Sequence, residues 1–127
     1  MRALIIDDSR VMRSILRRVI EPLGFEAAEA ADGQDALDQI AAGPVPELCL
    51  VDWNMPVMDG YSFITRMRER PEWRDVTLMM VTTESEHSQV VRALAAGAHE
   101  YVVKPFTPEA IREKLALLGL LSEGVRA

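Results

Sequence analysis

The chain has 127 residues, of which 49% are hydrophobic and 27% charged, and this composition predicts one globular domain with a buried core. Its net charge of −6 argues against nucleic-acid binding through a general positive field, and its apolar stretches are too short to span a membrane. Two carboxylates interrupt the first apolar run too early for a signal peptide, and the single Cys49 excludes an internal disulfide. These features favour a reducing, cytoplasmic location.

Short apolar runs alternate with segments of helical periodicity along the chain. In chain order they predict strand 3–6, helix 10–21, strand 25–28, helix 34–42, strand 48–51, helix 61–69, strand 77–81, helix 86–96, strand 101–103 and helix 108–118. The second strand has the weakest signal, because its sequence FEAAEAAD also suits a helix. A helix between successive strands requires a crossover connection, so we expect an α/β fold: a doubly wound, five-stranded parallel sheet with helices on both faces.

Polar side chains follow the strongest predicted strands where each strand ends. They are Asp7 and Asp8 after the first strand, Asp52 after the third, Thr82 and Thr83 after the fourth, and Lys104 after the fifth. The carboxyl ends of parallel strands face one crevice, where ligands of open α/β sheets bind. The sequence therefore predicts that carboxylates, a hydroxyl and an ammonium meet in one site.

The chemistry of this predicted site follows from its charges. Carboxylates about 4 Å apart repel each other by roughly 4 kcal/mol per pair at an effective dielectric of 20, and a hard cation such as Mg²⁺ would remove that cost. A carboxylate beside Mg²⁺, a lysine and a hydroxyl is suited to accepting a phosphoryl group. We interpret Asp52 as the candidate nucleophile, because it ends the most uniformly apolar strand.

The segments IIDDS, VDWNMPVMDG, MMVTTES and YVVKPFT, at these separations, resemble the receiver domain of two-component response regulators. They resemble in particular the single-domain, CheY-like chemotaxis regulators, and the resemblance covers about residues 3–118. It implies a flavodoxin-like fold with strand order 2-1-3-4-5. It also implies a receiver domain over 1–121 with a short tail over 122–127. Such a protein is a signalling switch, with only single-turnover autophosphorylation and autodephosphorylation as chemistry.

The same resemblance implies the role of each acidic residue. Asp52 would accept the phosphoryl group from a histidine kinase or from a small donor such as acetyl phosphate. Mg²⁺ would be bound directly by Asp8, by Asp52 and by the backbone carbonyl of Asn54. Asp7 would position the metal through water. Gly60, in the loop after the acceptor, would allow a turn that other residues resist.

The resemblance further implies a switch. Thr82 and Lys104 would each bind a phosphoryl oxygen, and the Lys104-Pro105 bond would be cis. Tyr101 would move inward as Thr82 is drawn toward the phosphoryl group. The domain would then shift its population between two arrangements that differ in the partner they bind.

Three residues next to the site are expected to tune the lifetime of the phosphoryl group. Asn54 and Glu84 resemble the pair found in chemotaxis regulators that reset quickly. Thr83 stands where many relatives have Ala or Gly, and its bulk would slow the access of water. We expect a lifetime of seconds to minutes.

The implied partners are a histidine kinase or histidine phosphotransfer protein, and an output protein such as a flagellar motor or kinase-pathway component. The output face would comprise the fourth helix, fifth strand and fifth helix, with Arg92 and Tyr101 as candidates. The first helix carries a basic face opposite an apolar stripe that includes Val11, Ile15 and Val19. That face, formed by Arg10, Arg13, Arg17 and Arg18, is either simply solvated or a docking surface for an acidic protein. We expect a monomer with no direct contact to nucleic acid or membrane.

Three alternative functions remain open. A phosphorelay carrier would pass the phosphoryl group to a histidine domain docked on the basic first helix. A phosphatase with an aspartyl nucleophile would require an acid two residues after Asp52, where this chain has Asn54. An interaction module with a vestigial site is disfavoured, because the complete set of predicted site residues is present.

Overall fold

The computed structural model describes residues 1–83 and 87–121. The strands are β1 (Arg2–Ile6), β2 (Glu26–Ala30), β3 (Leu48–Asp52), β4 (Thr77–Thr83) and β5 (Glu100–Lys104). The helices are α1 (Arg10–Ile20), α2 (Gly33–Ala42), α3 (Gly60–Arg68), α4 (His87–Ala96) and α5 (Pro108–Leu117), with short 3₁₀ turns at Glu21–Leu23 and Pro71–Trp73. All strand pairs are parallel and the order is β2-β1-β3-β4-β5, which confirms the predicted fold.

The sheet divides the core into two layers. Alternate strand residues point to opposite faces, so Leu4, Ile6 and Val51 pack beneath α2, α3 and α4, whereas Ile5 and Leu50 pack beneath α1 and α5. All five residues of β3 are buried. Burial of each large aliphatic side chain contributes roughly 2 kcal/mol, so the central strand is a stable platform for the residue that ends it.

The edge strand β2 differs most from its prediction. It covers Glu26–Ala30 instead of 25–28, and its exposed and buried positions alternate, because only β1 pairs with it. Phe25 lies just before the strand and is buried in the α1/α5 layer. Residue 86, the predicted start of the fourth helix, and the tail over 122–127 lie outside the described residues.

The first helix buries only part of the predicted stripe, since Val19 packs against the core. Leu16 and Ile20 face the core, with Met12 packed against it. Val11 and Ile15 are instead 69% and 38% exposed. Apolar side chains of α1 are therefore left at the surface beside its arginines.

Within the described ranges, no helix is long and apolar enough to cross a membrane.

Candidate phosphoacceptor and metal site

The carboxyl edge of the sheet brings the predicted acidic residues together. β1 and β3 are paired with Ile6 beside Val51, so Asp7 and Asp52 follow at the same level. One carboxylate oxygen from each of Asp7, Asp8 and Asp52 lies within 4.8 Å of the others. The topology therefore produces the cluster that the strand ends predicted.

The three carboxylates differ in exposure and in local support. Asp7 and Asp52 are 1% and 6% exposed, whereas Asp8 is open to solvent. The Asp7 side chain accepts a hydrogen bond from the Ser9 backbone N–H at 2.8 Å. Ser9 in turn caps α1 by accepting the N–H of Met12 at 3.2 Å. Asp7 is thus built into the turn that begins α1, while Asp8 presents its carboxylate to solvent.

Lys104 connects two of these carboxylates. Its ammonium lies 3.2 Å from Asp52 Oδ1 and 3.4 Å from Asp7 Oδ2. Burial alone would lower the pKa of Lys104, but the charges of Asp52 and Asp7 outweigh it and raise that pKa above its ordinary value. Lys104 is therefore charged, and the Lys104-Pro105 peptide bond that follows it is cis, as predicted.

The donor set of the site fits a hard divalent cation. Three carboxylates face one ammonium, so the cluster keeps a net negative charge, and its oxygens are the ligand type that Mg²⁺ prefers. The exposed Asp8 leaves one side of the cluster open to water, and Mg²⁺ usually retains several waters. Asn54, the predicted source of a carbonyl ligand, lies in the loop two residues after Asp52.

Thr82 lies on the neighbouring strand, close to the acceptor in register. Asp52 pairs with Val81, so Thr82 is one residue further toward the carboxyl edge. Its side chain is buried, and its hydroxyl donates a long 3.5 Å hydrogen bond to the Thr83 carbonyl. A bond at that distance is weak, so the hydroxyl can exchange it for a better acceptor.

The loop after Asp52 shows why Gly60 is needed there. The left-handed conformation in this loop belongs to Val57, with φ of 68°, and not to Gly60. Gly60 is needed for another reason: a Cβ there would collide with the backbone carbonyl oxygen of Asp52. Its N–H donates to the Trp53 carbonyl at 2.9 Å, and Asp59 caps α3 by accepting the N–H of Ser62.

An aromatic contact links the acceptor strand to α3 and α4. The ring of Trp53 lies 5.9 Å from that of Tyr61, and the guanidinium of Arg92 lies over the Tyr61 ring at 4.6 Å. Arg92 therefore contacts α3 while it remains exposed on α4, and its predicted place on the output face stays a prediction. Tyr101 remains on that face, half-buried, with the Lys114 ammonium 5.1 Å from its ring centre.

The residues expected to tune the lifetime are only partly described. Asn54 is exposed and Thr83 is half-buried at the end of β4. Glu84 lies outside the described residues.

The sequence analysis did not identify the contacts that Arg13 and Arg17 make within the chain. Arg13, assigned to a solvated or docking face, donates a hydrogen bond to the Asp7 backbone carbonyl at 2.6 Å and pairs with Glu29 at 2.9 Å. Arg17 also pairs with Glu29, so two of the four arginines are held within the chain. A glutamate inside a half-buried strand was the available signal, because such a charge requires a partner.

Comparison with known proteins identifies the family. The family model described as "Response regulator receiver domain" matches residues 3–116. The chain belongs to this family. It is 36% identical over 119 residues to chemotaxis protein CheY1 of Helicobacter pylori, covering 93% of this chain and 96% of the relative. It is also 38% identical over 116 residues to a CheY homologue of Campylobacter jejuni, covering 91% and 89% of the two chains.

Solved structures agree with this assignment. CheY4 of Vibrio cholerae is 31% identical with a TM-score of 0.82, over 91% of this chain and 96% of that chain. A putative response regulator from Chloroflexus aurantiacus is 30% identical with a TM-score of 0.86, over 93% and 97%. The chain is thus a CheY-like receiver domain of two-component signalling, a family of phosphoaccepting switches.

Proposed function

We propose that Asp52 is the residue that accepts the phosphoryl group, from a histidine kinase or from a small donor such as acetyl phosphate. The observation that carries this is the Lys104 ammonium 3.2 Å from Asp52 Oδ1, in a cluster that also includes Asp7 and Asp8. An Asp52 oxygen attacks phosphorus, and the new P–O bond forms as the P–N bond to the donor histidine breaks. The electron pair returns to the histidine nitrogen, which takes a proton from water.

Each neighbouring residue has a defined part in this proposal. The carboxylates of Asp8 and Asp52 and the Asn54 carbonyl would hold Mg²⁺, and Asp7 would act through water. When bound, it supplies charge neutralisation for the phosphoryl oxygens. Lys104 pairs with one of these oxygens, and the Thr82 hydroxyl leaves its long bond to Thr83 to donate to another. The phosphatase alternative is disfavoured, because Asn54 cannot act as an acid or base.

The proposed output surface is α4, β5 and α5. Exposed apolar side chains on it, Val91 and Leu94 of α4 and Leu117 of α5, suit a partner protein. Between them, Lys114 pairs with Glu100 at 3.0 Å and covers the Tyr101 ring. Movement of Tyr101 toward Thr82 would remove one side of this contact and so change the surface. The partner is an output protein such as a flagellar motor or kinase-pathway component.

The proposed docking surface for the phosphodonor lies on α1. Val11 and Ile15 are exposed there beside Arg10 and Arg18, an apolar patch with a basic rim. The same surface would serve a phosphorelay, in which the phosphoryl group passes on to a histidine phosphotransfer domain. Return of the phosphoryl group to a purified domain of that kind would favour the relay over a terminal switch.

We further propose a cytoplasmic monomer whose receiver domain covers 1–121, with 122–127 as a tail. Asn54, Thr83 and Glu84 would give a phosphoryl lifetime of seconds to minutes. Decay measured over hours would contradict this part of the proposal.

A fluorescence titration tests the proposed site, because Trp53 adjoins Asp52. In a Trp73→Phe background, Mg²⁺ and then beryllofluoride are added while Trp53 emission is followed. We expect a saturable response to Mg²⁺ and a second response to beryllofluoride, both lost in Asp52→Ala. No response to Mg²⁺, or responses that survive Asp52→Ala, would overturn the proposal.

A further inference from the structure

Arg13 joins the acidic site to the edge of the sheet. Its Nη1 donates to the backbone carbonyl of Asp7 at 2.6 Å, and its Nε donates to Glu29 Oε1 at 2.9 Å. The side chain is only 16% exposed, so these charge-assisted bonds are largely shielded from water. Arg13 thus acts on the main chain between the two aspartates and not on a carboxylate of the site.

Glu29 is itself fixed from two sides. Its Oε2 accepts a hydrogen bond from Arg17 Nε at 2.9 Å, and its backbone carbonyl accepts one from the Gln39 amide at 2.8 Å. Burial would raise the pKa of Glu29, but hydrogen bonds from Arg17 and Arg13 lower it below its ordinary value. Glu29 is therefore a charged anchor that places the Arg13 guanidinium.

The Asp7 carbonyl belongs to the peptide group that leads to Asp8. Because a peptide group is planar, fixing this carbonyl also fixes the direction of the Asp8 N–H and the start of the Asp8 residue. On the other side, the Asp7 N–H donates to the Ala30 carbonyl at 3.1 Å. Both backbone groups of Asp7 are thus held, one of them by Arg13.

We propose that Arg13 is a positioning residue for the metal site: anchored by Glu29, it orients the Asp7–Asp8 peptide so that both carboxylates converge beside Asp52. The inference rests on the proposed function, because it assigns Arg13 a part in Mg²⁺ affinity. Loss of such a supporting hydrogen bond typically weakens metal binding by roughly tenfold or more.

Arg17 supplies a matched control. It bonds to the same Glu29 carboxylate, at the same 2.9 Å distance, and also pairs with Glu21 at 3.0 Å. Its hydrogen bonds go to these two carboxylates, whereas Arg13 also bonds the Asp7 carbonyl. If the Glu29 pairs matter only for stability, Arg13→Ala and Arg17→Ala will behave alike.

The experiment compares the two variants in the Trp73→Phe background. Mg²⁺ affinity is read from Trp53 fluorescence, and stability is read from urea unfolding without Mg²⁺. We expect Arg13→Ala to raise the Mg²⁺ dissociation constant by roughly tenfold and Arg17→Ala by less than about twofold, with similar losses of stability. Equal effects of the two variants on Mg²⁺ affinity would overturn the inference.

Two safeguards keep the test decisive. Where Arg13→Ala does not fold, Arg13→Lys against Arg17→Lys makes the same comparison, because a lysine cannot bond the Asp7 carbonyl and Glu29 with a guanidinium fork. The parent protein is titrated first. An absent Mg²⁺ response there refutes the proposed function, whereas a normal parent response with equal variants refutes only the role of Arg13.

Discussion

A half-buried cation lies at each end of the sheet's strands, but the two cations have different partners. At the carboxyl edge, Lys104 lies between the carboxylates of Asp7 and Asp52. At the amino edge, Arg68 donates to the backbone carbonyls of Gly97, Trp73, Arg74 and Val76, and its Nη2 lies 3.3 Å from His99 Nδ1. Lys104 therefore contacts charged carboxylates, whereas Arg68 contacts uncharged carbonyl groups.

This difference distinguishes a cation that stabilises the fold from a cation that belongs to the candidate site. Arg68 ends α3, and its carbonyl acceptors lie just before β4 and just before β5, so the guanidinium ties α3 to the starts of these two strands. Lys104 is shared by a cluster that remains negatively charged, and a ligand can rearrange that cluster. The amino edge is therefore a structural tie, while the carboxyl edge keeps unrelieved repulsion.

Arg68→Ala should produce the largest loss of stability. It leaves four backbone carbonyls without their charged donor, and we expect the free energy of unfolding to fall by about 3 kcal/mol. Arg66→Ala on the same helix, at an exposed position, should change it by less than about 0.5 kcal/mol. Urea denaturation measures both. At low temperature, the folded Arg68→Ala variant should still accept a phosphoryl group. If the folded variant does not, Arg68 also contributes to the site, and the contrast between the two ends of the sheet fails.

Asp52→Asn should raise the free energy of unfolding, an effect opposite in sign to that of Arg68→Ala. It removes one of three clustered carboxylates while Lys104 keeps Asp7 as a partner, so the free energy of unfolding without Mg²⁺ should rise by about 1 kcal/mol. The exposed Asp75→Asn serves as the control and should stay within about 0.5 kcal/mol of the parent. Added Mg²⁺ should reduce the difference in unfolding free energy between Asp52→Asn and the parent, because it binds the parent site. A destabilised Asp52→Asn would show that attraction to Lys104 outweighs the repulsion between the carboxylates.

Val57→Asn should stabilise the loop beside the acceptor. Val57 is β-branched and has a φ of 68°, a region that costs a residue of this type about 1 kcal/mol and that Asn adopts more readily. We expect a gain of up to about 1 kcal/mol in thermal or urea unfolding. Val45→Asn, another exposed loop valine without positive φ, should give no gain. Equal responses would mean that the backbone strain at Val57 is negligible.

His99 should give the smallest effect, visible as a pH dependence. Its Nδ1 accepts the Leu78 N–H at 3.1 Å and faces Arg68 Nη2 at 3.3 Å, so the folded protein requires the neutral ring. Burial and the Arg68 charge lower the pKa of His99. The unfolded chain takes up this proton first, so the His99 contribution is complete above about pH 6.5 and is lost as the pH falls toward the lowered folded-state pKa.

The control for that prediction is His99→Asn, whose side-chain oxygen can accept but does not titrate. Between pH 8 and pH 5, the free energy of unfolding should fall more for the parent than for His99→Asn. A difference that stays constant over this range would show that His99 does not couple to folding.

The sequence was sufficient for the parts of the site that topology alone assembles. Asp7, Asp52, Thr82 and Lys104 each lie within one residue of the carboxyl end of a strand, and parallel order brings these ends together whatever the details of packing. Their meeting could therefore be predicted from periodicity and spacing.

The parts that could not be predicted depend on packing angles and register. Whether Arg13 meets solvent or Glu29 depends on how α1 rotates over the edge strand, whose bounds were predicted two residues short at its end. The same limit applies to the contact of the exposed Arg92 with the Tyr61 ring, which depends on how α4 packs beside α3. Gly60 was recognised as necessary, yet the reason is a close backbone approach that no local pattern reveals.

The central claim, that Asp52 accepts the phosphoryl group, is tested most directly by mapping the modified residue. The protein is incubated with Mg²⁺ and acetyl phosphate, treated with borohydride, which reduces an aspartyl phosphate to homoserine, and digested for mass spectrometry. We predict conversion at position 52 that depends on Mg²⁺ and disappears in Asp52→Asn. Conversion at another aspartate, or none at Asp52 in the folded parent protein, would contradict the account.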